Sequence, residues 1–308
     1  MIKGSYILGS KKINLEKDIN LSKVSQFDEL FKKTGIKYIY RSSDKENSLT
    51  LGERAAKKVL SNINEEIESL IFVTQSPIST IPASGCILHK NLKIQKECFV
   101  LDIIQGCSGF PYALSLAVNL LKTKKFKNCL IITAETYTKH ISIDDRICMP
   151  IFSDAGSAVF INQKSLPKML ASYYYTDGDG AENLCLIGAK NNKKLFMHGS
   201  KVFTFTAEKV PHATNILLKR AKLTIDDIKL FIFHQASDVV LKTIQNKLKI
   251  PKEKFFVNIK NIGNTVSSTI PIALIMAEKK KIIPKNKPVL IMGFGVGYSL
   301  AGGIFKFD

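Results

Sequence analysis

The chain has no CxxC pair, no tryptophan, few acidic residues, and no unbroken run of about 20 apolar residues. Each absence narrows its class. Without CxxC, a zinc or thioredoxin-type centre has no basis. Without a long apolar run, no membrane helix is expected. The nearest approach, Val289 to Phe305, carries glycines and β-branched residues and reads as two buried strands joined by a turn. The opening stretch MIKGSYILGSKK lacks the apolar core of a signal peptide. The expectation is therefore a cytoplasmic protein with reduced thiols. Five of its six cysteines (Cys86, Cys98, Cys129, Cys148 and Cys185) are expected as small buried side chains. Acids number 26 against 45 Lys and Arg, a formal charge of +19. A solvated lysine-rich surface and attraction of an acidic partner both fit that charge. No basic stretch interleaves with aromatics, so nucleic acid is not an expected partner.

What is present is a repeat. NEEIESLIFVTQ (Asn64 to Gln75) resembles IDDIKLFIFHQ (Ile225 to Gln235), with Ile67 opposite Ile228 at 228 − 67 = 161. FVLDIIQGCSGFPYALSLAV resembles FVNIKNIGNTVSSTIPIALI, with Cys107 opposite Asn264 at 264 − 107 = 157. KNCLIITAE resembles KPVLIMGFG at 290 − 130 = 160. Three segments in one order at nearly one offset indicate two copies of a half-domain, 1–165 and 166–308, with the boundary in the polar stretch Asn162 to Lys168. Strands alternate with helices, so the class is α/β. LIFVTQ, CFVLDII, CLIITAE and SAVFIN read as strands of the first half, and LFIFHQ, FFVNI, PVLIMGF and GGIFKF as strands of the second. ERAAKKVLSNI, CSGFPYALSLAVNLLKT, ATNILLKRAKL, SDVVLKTIQNKL and STIPIALIMAEKK read as helices, while Ser172 to Ser200 reads as irregular connections.

Cys107 falls where a buried strand meets a helix, with Pro111 tolerated in the first turn. A thiol at a helix N-terminus feels about +0.5 of a charge and free amides, so its pKa is expected below about 8.5. Alone it reads as either a nucleophile or a packing cysteine. His234, after four apolar residues, reads alone as a satisfied core histidine, and Asn264 as a cap or turn. Together they make a chemistry. Cysteine forms a thioester, and a neutral imidazole and a carboxamide can both donate to one carbonyl oxygen and hold an enolate. The glycines of MGFGVGYS let backbone approach a ligand closely.

Around these residues the chain resembles the thiolase superfamily, and within it β-ketoacyl-acyl carrier protein synthase III. The segments that carry the resemblance are QGCSGFPYALSLA, IFSDAGSAVF, HQAS, NIGNTVSST and GFGVGYS, spread over the whole length. The resemblance implies a five-layer αβαβα fold and a homodimer. It implies that Cys107 takes an acyl group from a thioester, that His234 and Asn264 hold a malonyl thioester as it loses carbon dioxide, and that backbone amides of Cys107 and Val296 form the oxyanion hole. No metal or organic cofactor is implied. Several positions depart from the family pattern. Ser237 replaces the last residue of HQAN, Val239 replaces an Arg near the pantetheine phosphate, and Glu29 and Lys33 replace a Trp and an Arg near the nucleotide. Arg146 keeps an adenine-stacking Arg. Loss of an aromatic face and a phosphate partner weakens nucleotide binding. The expected donor is thus an acyl carrier protein, met by Lys33 and surface lysines, rather than acyl-CoA. Ile81, where the family often has a Phe reaching into the neighbouring subunit's acyl pocket, leaves room for a longer or branched chain. Two other readings compete: an acyltransferase passing the group from Cys107 to an alcohol or amine without decarboxylation, and a catalytically silent scaffold or nucleic-acid binder driven by charge.

Overall fold

The structure, a computed structural model, describes residues 2–17, 33–142, 145–189 and 193–308. Two sheets dominate, beside a small antiparallel ribbon of β2 (Lys11–Asn14) and β3 (Tyr38–Arg41). The first runs in the order β1 (Lys3–Leu8), β7 (Ala155–Asn162), β6 (Asn128–Glu135), β4 (Ser69–Val73), β5 (Phe99–Ile103). Strand β4 is parallel to both β5 and β6, whereas β7 is antiparallel to β6 and β1. The second runs β11 (Leu230–Phe233), β12 (Pro288–Gly295), β13 (Ser299–Lys306), β8 (Lys168–Thr176). Its pairings repeat the first: β11 and β12 are parallel, and β13 is antiparallel to both neighbours. Every residue of β4, β6, β7, β11 and β12 is buried. Continuous apolar runs form such strands because both faces are covered.

Three layers of helix cover the sheets. Helices α1 (Ser48–Leu60) and α2 (Ser84–Asn91) pack on the outer face of the first sheet, through Leu51, Ala55 and Leu88 against Phe72 and Ile132. Helices α3 (Gly109–Lys122) and α6 (Thr269–Lys279) lie between the sheets, sharing one core with Ile71, Ile131, Ile232 and Ile291. Helices α4 (Gly199–Ala221) and α5 (Asp238–Leu248) cover the outer face of the second sheet, through Val210, Leu217 and Leu241. The layers are therefore αβαβα. Local signals place the helix starts. Asn47 and Thr50 form a reciprocal capping box for α1, and Ser237 caps α5, devices each worth about 1 kcal/mol.

Four local expectations fail. FFVNI is no strand: Phe255 makes a single bridge to Phe231, and the chain then turns through a 3-10 segment, Ile259–Asn261. Ser172 to Ser200 is not irregular. It holds the end of β8, the hairpin β9 (Leu184–Ile187) and β10 (Lys194–Met197), and the first residues of α4. That helix begins well before ATNILLKRAKL and carries Pro211 inside it, which costs about 3 kcal/mol in an isolated helix and is offset here by packing. Among the five other cysteines only Cys129 and Cys148 are buried; Cys98 and Cys185 are half-buried and Cys86 is exposed. Within the described residues, no helix is long and apolar enough to cross a membrane.

Candidate functional site

The loop after β5 carries Cys107 to the start of α3, and the thiol is 5% exposed. Two glycines of β12 let that strand pass beside it. A Cβ on Gly293 would stand 2.3 Å from the Cys107 carbonyl oxygen. One on Gly295 would meet the Cys107 Cβ at 3.0 Å and Sγ at 3.1 Å. Ser108 Oγ and Ser299 Oγ, 2.6 Å apart, tie the same loop to β13.

His234 directly follows β11, and its N–H donates to Met292 O at 2.9 Å. The ring meets Phe294 edge-on, with centroids 5.4 Å apart. Burial drives its pKa down to about 3, so the imidazole is neutral at physiological pH. Its Nδ1 lies 2.7 Å from Thr269 Oγ1.

Asn264 belongs to the loop before α6. Its backbone is clamped on both sides by the end of the first half: N–H donates to Ile151 O at 2.9 Å, and its carbonyl accepts from Ser153 N at 2.8 Å. Gly263, at φ +76°, makes this approach possible; a Cβ there would lie 2.5 Å from Ser153 Oγ. Asn264 Oδ1 accepts from Val266 N at 2.9 Å, which fixes the amide so that Nδ2 is the outward donor. Nδ2 lies 3.5 Å from His234 Nε2. Cys107, His234 and Asn264 all line one cavity of about 190 Å³. Three residues far apart in sequence are thus brought to one place.

The electrostatics differ from the sequence expectation in one respect. Cys107 has its pKa raised, not lowered. Burial is the first cause and the nearby Glu135 carboxylate the second; the residue's own backbone N–H pulls the other way and is outweighed. Glu135, fully buried at the end of β6, is itself pushed up to about 7 by burial. It accepts from Gln75 N, from Ser76 Oγ at 2.9 Å and from Ser267 Oγ at 2.7 Å. This carboxylate therefore pins the loop that carries Asn264 to the loop after β4.

The remaining expected positions separate. Ser237 lines the cavity, but its hydroxyl accepts from Val240 N as the cap of α5. Val239 also lines it, 40% exposed, beside Ile147 at 50%. Arg146 is exposed and precedes Ile147. Lys33 is exposed, on the segment whose Gly35 packs against Asp238 of α5. Glu29 lies outside the described residues. Ile81 is 92% exposed and lines no described cavity of its own chain. Val296 lines a second cavity, next to Gly295 of the first. Sequence reasoning missed Thr269 and Glu135. An acid closing the otherwise apolar strand CLIITAE was the available signal for the second; the first, one hydroxyl among several in TVSST, gave none.

Residues 101–178 match the family described as 3-oxoacyl-[acyl-carrier-protein (ACP)] synthase III, and residues 218–307 match its C-terminal part. The β-ketoacyl-[acyl-carrier-protein] synthase III of Caldanaerobacter subterraneus subsp. tengcongensis is 31% identical over 99% of this chain and 96% of its own. The chain belongs to this family. That of Aquifex aeolicus is 32% identical over 89% of each chain. The solved 3-oxoacyl-[acyl-carrier-protein] synthase III from Aquifex aeolicus superposes with a TM-score of 0.89 at 29% identity, covering 99% of both chains. Another solved 3-oxoacyl-(acyl-carrier-protein) synthase III gives 0.91 at 29% identity, again over 99% of both. Ile147, Val239 and Val240 form an apolar part of the cavity's lining.

Proposed function

We propose that this chain catalyses the decarboxylative condensation of a Cys107-bound acyl group with a malonyl thioester, giving a β-ketoacyl thioester. The observation that carries the reading is the shared cavity: a thiol, a neutral imidazole and an oriented carboxamide face one space. In the first half-reaction the Cys107 sulfur attacks the donor's thioester carbonyl. The C–S bond to the donor breaks, and the departing thiolate takes the thiol proton. Backbone amides of Cys107 and Val296 hold the transient oxyanion. In the second, a malonyl thioester places its carbonyl oxygen between His234 Nε2 and Asn264 Nδ2. Its carboxylate leaves as carbon dioxide, and the electron pair forms an enolate held by those two donors. The enolate carbon attacks the acyl carbonyl and expels the Cys107 thiolate, which regains a proton. These steps call on no metal and no organic cofactor.

Nε2 can donate only if the imidazole carries its proton there. Thr269 has one hydroxyl proton and two takers, Val266 O at 3.0 Å and His234 Nδ1 at 2.7 Å. Val266 O already accepts the backbone N–H of Thr269, so we assign the hydroxyl proton to Nδ1, the nearer taker, which leaves the proton of the neutral ring on Nε2, aimed at the substrate. Thr269 is thus a positioning residue for the second half-reaction.

The donor we assign is an acyl carrier protein. An apolar residue at Val239 gives no partner for a nucleotide phosphate, while Lys33, Arg146 and the net charge of +19 favour an acidic carrier surface. The working form is a homodimer in the cytoplasm. Strand β5 is the half-exposed edge of its sheet, and Ile81 and Ile104 are 92% and 62% exposed beyond it, an apolar surface suited to a second copy. Release of labelled carbon dioxide from malonyl thioester, dependent on prior acylation of Cys107, tests the reaction. Acyl transfer to an alcohol or amine without that release would replace it with a simple acyltransferase. Faster acylation by acyl-CoA than by acyl carrier protein would overturn the donor assignment.

A further inference from the structure

Behind the Cys107 loop lies a second cavity, of about 160 Å³, lined by Gln75, Tyr137, His140, Leu184, Leu195 and Val296 among others. Leu184 walls both cavities, and the chain crosses from one to the other between Gly295 and Val296. Gly106, next to Cys107, rests on Gln75: a Cβ there would stand 2.3 Å from Gln75 Oε1. An acyl group on the Cys107 sulfur that enters this space passes Gln75 within its first few carbons. The volume is close to that of a cavity that holds one benzene ring, about 150 Å³, so the group it takes is short, in place of the longer or branched chain expected from Ile81.

Most of the wall is apolar, but Gln75, Tyr137 and His140 are not, and of these His140 has its Nδ1 on Lys193 O. The Tyr137 hydroxyl bonds Gln75 Oε1 at 2.5 Å. The other end of the carboxamide, Nε2, has no hydrogen-bond partner among the described residues, although the backbone N–H of Gln75 is held by Glu135. A hydroxyl can donate or accept, so one end of the carboxamide is spare whichever way it is turned. The counterpart in the repeat shows what a purely structural glutamine does at this place. Gln235, at 235 − 75 = 160, also closes its strand segment, and both its ends are used. Its Nε2 donates to Phe233 O at 2.8 Å and Phe256 O at 3.3 Å, and its Oε1 accepts from Asn258 N at 2.9 Å. Gln235 is a closed knot, whereas Gln75 presents an open valence to a cavity.

A plain hydrocarbon filling that cavity strips water from the spare amide and returns nothing to it. We propose that the acyl group accepted by Cys107 is short and bears an oxygen, a hydroxyl or a keto group, near its third carbon, bound by the Gln75–Tyr137 pair. The inference rests on Cys107 being the acyl acceptor. A matched pair of thioesters on one carrier protein tests it: 3-hydroxybutanoyl, and 3-methylbutanoyl, in which a methyl replaces the hydroxyl. Acylation of the full chain is followed by intact-protein mass spectrometry. The hydroxyacyl donor is expected to react at least about tenfold faster, since a pocket built to hydrogen-bond a substrate discriminates against the apolar isostere. Gln75→Leu and Tyr137→Phe, made separately, should each bring the two rates together. Equal rates in the unaltered protein, or a faster methyl compound, overturn the inference and leave the condensation reading standing. A preference that survives in both variants overturns the assignment to this pair. If neither donor marks Cys107, with Cys107→Ala as the blank, both readings fall.

Discussion

The two halves of the chain answer the same structural problem differently. In each, a loop leads into a helix of the central layer and faces the middle of the molecule. In the first half the joint is direct: Cys107 lies just ahead of α3. In the second, a 3-10 turn, Val266–Ser268, stands between Asn264 and α6, and Val266 takes a φ of +54°. That conformation is rare for a β-branched residue. The extra turn sets Asn264 apart from its helix, where its backbone is clamped to Ile151 and Ser153 of the other half. It also turns Thr269 toward the imidazole. One copy of the fold thus presents a nucleophile and the other presents donors, from equivalent loops.

The sharpest way to break this division is Asn264→Ala. Acylation of Cys107 should be spared, and condensation should fall by about 100-fold, the usual loss when one oxyanion donor is removed. Equal loss in both steps would show that the halves do not divide the work. Next in size is the close passage of β12. Gly293→Ala forces a methyl against backbone at 2.3 Å. It should cost about 1–3 kcal/mol in urea unfolding, and a neutral result would mean that the strand and the Cys107 loop move independently. The tautomer argument comes third. Thr269→Val should lower malonyl decarboxylation about tenfold while leaving acylation intact, the loss of roughly one hydrogen bond. Thr269→Ser should retain the wild-type rate, and ¹⁵N spectra of His234 should lose the Nε2–H form only in the valine variant.

The last tests concern pH. Glu135 has a folded pKa of about 7 against an ordinary 4.5. Its contribution to stability is therefore full below pH 4.5 and is lost as pH rises to about 7, a change on the order of 3 kcal/mol. His234 runs in the opposite sense: with a folded pKa of about 3, its contribution is present above pH 6.5 and is lost as pH falls toward 3. Glu135→Gln should flatten the slope between pH 4.5 and 7, read from urea midpoints. The same change removes a negative charge beside Cys107 and should speed alkylation of the thiol by iodoacetamide. In the unaltered protein that alkylation should keep climbing with pH beyond 8.5, because burial and Glu135 hold the thiol protonated. A plateau below pH 8 would mean that the helix terminus wins after all.

That last point marks where the sequence was legible and where it was not. Apolar runs betrayed β4, β6, β7, β11 and β12 because all their residues are buried, and Ser237 betrayed the start of α5. His234 could be named because it follows such a run, and Cys107 and Asn264 because each follows an apolar sequence segment, although the first forms the half-exposed β5 and the second no strand. Helix α4 was read short because Pro211 interrupts its pattern, and a proline's penalty can be met by packing that sequence does not display. The β9–β10 hairpin is too short and too exposed for a periodic signal. The Cys107 thiol was misjudged because a rule about the local helix terminus ignores burial and, after it, the Glu135 carboxylate delivered from β6, two places across the sheet from β5. Thr269 and Gln75 were invisible as partners, since a hydroxyl or an amide declares its role only through what it meets in space.

Asn264 hangs by its main chain from Ile151 and Ser153, and Gly295 leaves its space to Cys107. Each copy of the duplicated unit therefore scaffolds the other's working group. A gene encoding either copy alone encodes half a centre with its supports missing.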